Sequence, residues 1–159
     1  MRHEDLGALV DYLYWVRDQV LAAAASVPEV EFQSGETVTT RGLRATLVHQ
    51  LENEWAWRIR LSRGAFPAGG LDPADYPTLD VLVERWHQEE QRLRTWMRDL
   101  SDAQLAARPP GDEDALPMWR YLAYVVTHGI AQFSEAAVIL TRLGHSPGEI
   151  GFLRFSVEA

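Results

Sequence analysis

The sequence contains no cysteine among its 159 residues. This absence excludes disulfide bonds, thiolate metal ligands and a cysteine nucleophile from the chain's own chemistry. A thiol that takes part in a reaction would have to arrive as a separate molecule. The lack of cysteine also fits a reducing compartment, and we expect a cytoplasmic protein.

The chain also lacks the features of nucleic-acid-binding and membrane proteins. Its formal net charge is −8, whereas a general nucleic-acid binder carries a basic stripe. No stretch approaches 18 consecutive apolar residues, and the first residues lack the apolar core and cleavage site of a signal peptide. We therefore expect neither a nucleic-acid partner nor a membrane partner.

Prolines are missing from the interiors of four helix-like segments, where each would remove a hydrogen bond. Within these segments apolar residues recur at steps of three and four, which indicates helices with one buried face. The sequence therefore predicts one all-α domain over residues 1–159, an antiparallel four-helix bundle with long connecting loops. The approximate segments are Glu4–Ser26, Thr39–Arg63, Thr78–Leu100 and Leu116–Leu143.

The last long segment carries a histidine with polar neighbours. On a helical wheel His128, Gln132 and Glu135 lie along one edge of the apolar face, together with Tyr121 and Tyr124. These side chains are expected to point toward a groove between helices. Residues four apart on a helix can bind one metal ion, but a single histidine at a core edge is more often a hydrogen-bonded structural residue. Both interpretations stay open at this stage.

The second long segment, "LVHQLENEWAWRIRL", contains another histidine followed by carboxylates. Helical periodicity places His49 near the polar margin and Glu54 in the middle of the apolar stripe. A buried ion pair between Glu54 and Arg58 is the simplest structural interpretation of that carboxylate. Glu84 and His87 have the Glu-x-x-His spacing of a di-iron bundle, but the sequence offers no second copy to support it.

Three stretches resemble the DinB family of bacterial four-helix-bundle proteins: "DYLYWVRDQVLAAA", "LVHQLENEWAWRIRL" and "THGIAQFSEAAVILTRLGHSPGE". In the family's second helix a metal-binding histidine precedes a glutamate by five residues and a tryptophan by eight, which matches His49, Glu54 and Trp57. Its fourth helix carries His-x-x-x-His, which corresponds to His128 and Gln132. The resemblance thus implies a divalent metal ion, zinc or nickel, bound by His49, His128 and Gln132.

The glutamine at position 132 departs from the family pattern. An amide oxygen is a weaker ligand than imidazole for zinc-like or nickel-like ions, so the resemblance implies a weakened site. Glu54 and Glu135 are the residues that we expect to support the ligands, and the catalytic residues stay unassigned.

The resemblance extends to activity, because related bundle proteins are metal-dependent thiol S-transferases. Their ion lowers the pKa of a low-molecular-weight thiol, such as mycothiol or bacillithiol, and presents the thiolate to a small electrophile. Hydrolase-like chemistry and a homodimer are further expectations of this kind. The alternative is a metal-free DinB-like bundle that serves as a small-molecule binding or dimerisation module without catalysis.

Overall fold

The computed structural model of the chain describes residues 1–111 and 115–158, and over these residues the protein is helical and contains no strand. The predicted all-α class is therefore confirmed. Four of the helices are long, and a 3-10 turn at Pro73–Asp75 lies between the second and third of them. The described helices are α1 (His3–Ala24), α2 (Glu29–Gln33), α3 (Leu43–Arg63), α4 (Leu79–Arg98), α5 (Asp102–Ala106), α6 (Met118–Arg142) and α7 (Phe152–Glu158).

The helix ends follow from local sequence. Gly64 ends α3 in the left-handed region, with φ of 85°, and its N–H donates to the carbonyl of Arg60. A glycine is favoured there because a side chain disfavours positive φ. The hydroxyl of Thr78 accepts from the N–H of Val81 and caps the start of α4. The polar termini of these two helices are thus satisfied within the chain.

The helix α6 is the centre of the packing, because it lies against both α1 and α3. Phe133 and Leu140 of α6 are fully buried, and the Phe133 ring stacks on Trp86 of α4 with ring centres 5.6 Å apart. By length and composition alone α6 would also pass as a membrane span. In the 18-residue window that meets these criteria, 44% is buried against the rest of the protein.

Side-chain pairs show that α6 and α3 run in opposite directions. His49 of α3 contacts His128 of α6. Trp57, which follows His49 by eight residues on α3, contacts Tyr121, which precedes His128 by seven residues on α6. The helices α1 and α4 are joined in the same opposed sense, by ion pairs from Arg17 to Glu90 and from Asp11 to Arg94 at 2.7 and 2.6 Å. In each of these two pairs the helices run in opposite directions.

The helices α3 and α4 run in the same direction, which a uniformly antiparallel arrangement does not allow. Glu54 of α3 bonds to Trp86 of α4, and Arg58 pairs with Glu89. The physical reason is the length of the connection 64–78. Fifteen residues can span up to about 50 Å, and a 21-residue helix is about 31 Å long, so this connection can return to the end where α3 began.

The prediction of an ion pair between Glu54 and Arg58 is wrong. Arg58 faces α4, where its guanidinium binds both oxygens of Glu89, and Arg85 reaches the same carboxylate at 3.4 Å. Glu89 is fully buried, so two cations beside it reduce the cost of removing its charge from water. The helical wheel identified the buried face of α3 but could not identify the neighbour on α4.

The helices α1, α3 and α6 approach one another closely at Gly129 of α6. A Cβ atom placed there would lie 2.6 Å from Nε2 of Gln50 on α3 and closer still to the side chain of Leu13 on α1. Neither neighbour lies in a flexible surface position, since Leu13 and Gln50 are both fully buried. The absence of a side chain at Gly129 therefore sets the distance between three helices.

We predict that Gly129→Ala lowers the free energy of unfolding by about 1–3 kcal/mol, because an added methyl group overpacks the contact. The matched control is Gly7→Ala in α1, where a Cβ atom would have no neighbour within 4 Å. That control should raise stability by about 0.5–1 kcal/mol, as expected for glycine replaced inside a helix. Urea unfolding measures both changes, and a Gly129→Ala protein as stable as wild type would contradict the packing described.

Candidate metal centre

His49 of α3 and His128 of α6 lie beside each other where these helices pack together. Their ring centres are 5.3 Å apart, and the ring planes are inclined at 78°. Two imidazoles that bind one tetrahedral ion at about 2.0–2.1 Å per nitrogen have ring centres roughly 5 Å apart. The two rings that the resemblance assigns to one ion therefore lie side by side, at a spacing that suits a shared ion.

Three polar atoms on this side of α6 are buried without a hydrogen-bond partner in the described part of the chain. They are Nε2 of His128, Oε1 of Gln132 and Oε2 of Glu135. Buried polar atoms are nearly always paired, so such a group within two turns of one helix requires an explanation. A cation would satisfy a ring nitrogen and an amide oxygen together, and these atoms therefore fit a metal ion.

Gln132, the third ligand that the resemblance implies, would make this site different from one made only of imidazoles and carboxylates. Within residues 1–111 and 115–158, no three histidine, aspartate or glutamate side chains converge on a point. Gln132 is buried, with 7% of its surface exposed, and follows His128 by one helical turn. The donor set that the resemblance implies, two imidazoles and one amide oxygen, therefore stays a prediction.

The electrostatic surroundings keep both imidazoles neutral. Burial lowers the pKa of His49, the guanidinium of Arg41 lowers it further, and the carboxylates of Glu52 and Glu135 oppose these effects. Burial also lowers the pKa of His128, with further lowering by His49 and Arg41. Neutral imidazole is the form that binds metal, so these shifts favour ligation near neutral pH. The half-buried Arg41 also makes the surroundings favourable for an anion.

Glu54, which the sequence placed beside the ligands, belongs to a different set of contacts. Its oxygens accept hydrogen bonds from the Tyr14 hydroxyl at 3.1 Å, from Gln50 Nε2 at 3.0 Å and from Trp86 Nε1 at 3.0 Å. Burial raises the pKa of Glu54 to about 7, and the three donors and Arg17 only partly oppose this effect. Glu54 therefore links α1, α3 and α4 through the core.

The two other acidic candidates differ in position. Glu135 lies close enough to raise the pKa of His49, and it remains our candidate for supporting the ligands. Glu84 and His87 are exposed on α4, and Glu84 accepts a hydrogen bond from Gln88. The Glu-x-x-His spacing of Glu84 and His87 therefore does not mark a buried di-iron site.

A series of aromatic residues beside the histidines was not assigned a role from the sequence. The Tyr124 ring stacks on His128, with ring centres 5.5 Å apart and planes inclined at 20°. Trp57 meets Tyr124 at 5.5 Å and stacks on Tyr121 at 5.2 Å. The signal for this series was present, because Tyr121 and Tyr124 share the helical strip of His128. The sequence alone did not show that Trp57 of α3 would complete it.

The sequence of the chain matches the family model of the DinB family over residues 1–158, essentially its whole length. The chain belongs to the DinB family. No curated protein matches it at a significant level. Membership in the DinB family confirms the resemblance seen in the sequence, and the ligand roles of His49, His128 and Gln132 remain predictions.

We predict that Glu54→Gln stabilises the protein most at alkaline pH. Because the pKa of Glu54 is raised by folding, its neutral carboxyl contributes to the free energy of unfolding. That contribution is fully present below about pH 4.5 and is lost as pH rises through about 7. The advantage of the uncharged glutamine should therefore grow by up to about 3 kcal/mol between pH 4.5 and 8. Urea unfolding at several pH values measures this change.

The control for this prediction is Glu84→Gln at an exposed position of α4. A surface substitution of this kind should change stability by no more than about 0.5 kcal/mol. If the stability difference between Glu54→Gln and wild type stays constant with pH, the Glu54 carboxyl does not titrate in the folded protein as described.

Proposed function

We propose that this DinB family protein binds one divalent metal ion, zinc or nickel, through His49, His128 and Gln132. The observation that carries the proposal is the 5.3 Å spacing of the two imidazole rings. The buried and unpartnered Nε2 of His128 and Oε1 of Gln132 support it further. Imidazole suits zinc and nickel, whereas the amide oxygen is the weak member of the set.

We further propose that the site serves thiol transfer from a low-molecular-weight thiol to a small electrophile. A bound ion would supply Lewis acidity that lowers the pKa of the thiol. Arg41 would favour the anionic form of a thiol at the site, because its positive charge already acts on both histidines. The thiol must come from outside, since the chain contains no cysteine. The family likeness also supports a four-helix bundle and a cytoplasmic, bacterial homodimer.

The second candidate function is a metal-free bundle that binds a small molecule without catalysis. Two observations favour it: the third ligand position is a glutamine, and no third histidine, aspartate or glutamate converges on the pair among the described residues. An amide with one unpaired oxygen can also hydrogen-bond to an organic ligand. The two candidates differ in whether the protein as it exists takes up an ion.

We predict that tag-free wild-type protein binds one equivalent of zinc or nickel and that His128→Ala does not. Gln132→His should bind more tightly, because imidazole replaces an amide oxygen. Loss of a residue that only supports a ligand reduces metal affinity roughly 10–100-fold. Because His128 is itself a proposed ligand, His128→Ala should reduce metal affinity by more than that. Isothermal titration and elemental analysis, with zinc, nickel and manganese supplied in turn, measure these differences.

The matched control is His87→Ala, which removes an exposed histidine from α4 and should leave ion binding unchanged. Circular dichroism of each variant checks that the helices persist. If wild type stays empty with all three metals while Gln132→His fills, the native chain is the metal-free module. If Gln132→His also stays empty, the paired histidines do not form a metal site at all.

A further inference from the structure

A small cavity lies at the end of the groove between α3 and α6, on the aromatic side of the paired histidines. Its volume is about 140 Å³. An apolar cavity of on the order of 150 Å³ is large enough for a benzene-sized group. Three of its six lining residues are aromatic, and the six are Trp57, Arg60, Leu61, Phe66, Pro109 and Tyr121.

The cavity is built where two turns of the chain approach closely. Gly64, after α3, lies so near the carbonyl of Pro110 that an added Cβ atom would be 3.2 Å from it. Arg60 donates from its guanidinium to the same carbonyl at 3.0 Å. The hydroxyl of Tyr121 accepts from the N–H of Leu116 at 3.1 Å and so fixes its ring. The walls are therefore held by the backbone on both sides.

The aromatic walls of the cavity contact one another. The ring of Phe66 meets Trp57 edge-on, with centres 5.1 Å apart and planes at 78°, while Trp57 stacks on Tyr121. Phe66 is 53% exposed and Leu61 is fully buried, so the cavity has a solvent side and a closed floor. Edge-on and stacked contacts are the geometries that aromatic rings prefer with one another.

A series of ring contacts runs from this cavity to the histidines. Trp57 lies 5.5 Å from Tyr124, and Tyr124 lies 5.5 Å from His128, measured between ring centres. Asn53 lies one turn from both His49 and Trp57, and its Oδ1 is buried without a hydrogen-bond partner among the described residues. A molecule lying along these rings would thus meet the aromatic cavity, a hydrogen-bond acceptor and the histidine pair in order.

We propose that this cavity binds the planar aromatic group of the protein's small-molecule substrate, with the reacting part of that molecule placed beside His49 and His128. Asn53 accepts a hydrogen bond from the group that links the two parts. The placement of the reacting part rests on the proposed function. The binding of an aromatic group in the cavity does not rest on the proposed function, because no residue that lines the cavity is a proposed metal ligand.

The test uses two alcohols with the same number of non-hydrogen atoms: benzyl alcohol, which is planar, and cyclohexylmethanol, which is not. Protein kept free of metal by a chelator is titrated with each, and the indole N–H signal of Trp57 is followed by NMR. Stacking against aromatic walls should make benzyl alcohol bind about two- to tenfold more tightly than cyclohexylmethanol. The Trp57 signal is assigned from the spectrum of Trp57→Phe.

The variant that removes one wall is Phe66→Ala, at an exposed position that should not affect folding. Its matched control is Phe152→Ala, an exposed aromatic residue of α7 that packs on Tyr12. We expect Phe66→Ala to lose the preference for benzyl alcohol and Phe152→Ala to keep it. Equal binding of the two alcohols to wild type, or an unchanged preference in Phe66→Ala, would overturn the proposal.

The result is independent of the metal test. Benzyl alcohol bound by the chelated protein together with failed ion uptake would leave the cavity assigned and the metal function rejected. Ion uptake without any preference between the alcohols would reject the aromatic group and leave the metal site intact.

Discussion

The close packing of α3 against α6 is the constraint on which the rest of the structure depends. Gly129 lets α6 approach Gln50 of α3 and Leu13 of α1 within distances that no larger residue permits. That approach brings His49 to His128 on one side of the interface. Trp57 and Tyr121, which belong to the same two helices, meet farther along this interface, so one contact positions both proposed binding regions.

Buried charge is the second feature that organises the core. Glu54 and Glu89 are both inaccessible to solvent, yet their surroundings differ. Glu89 is neutralised by Arg58 and Arg85, whereas Glu54 receives hydrogen bonds from neutral donors and from no cation directly. This difference explains why burial dominates the pKa of Glu54. The role of Glu54 as a support for the metal ligands stays a prediction.

Much of the fold could be predicted from the sequence, because the signals involved are local. Proline positions and the helical period of apolar residues gave four long helices with ends close to those observed. The direction of α4 relative to α3 could not be predicted, since the connection 64–78 is long enough to permit either direction. The partner of Arg58 was missed for a related reason, because a helical wheel gives a face and not the neighbour that covers it.

The candidate site was predicted less evenly. His128 and Gln132 could be placed on one strip of α6 from spacing alone, but periodicity put His49 at a boundary. Only the family resemblance joined His49 to His128 before the ring distance was known. Trp57 could not be placed against Tyr121 from either source, since that contact depends on the relative positions of α3 and α6 along their axes.

The parallel course of α3 and α4 places helix termini of the same polarity side by side. Both helices finish at the end where α1 and α6 begin, as the contacts of His3 with Met97 and of Trp57 with Tyr121 show. Helix dipoles place partial negative charge at the first two termini and partial positive charge at the other two. Arginines in the last turns of α3 and α4 and acidic residues in the first turn of α1 compensate these partial charges. The first turn of α6 carries no acidic residue, so its N-terminal partial charge stays uncompensated from within that turn beside the aromatic cavity.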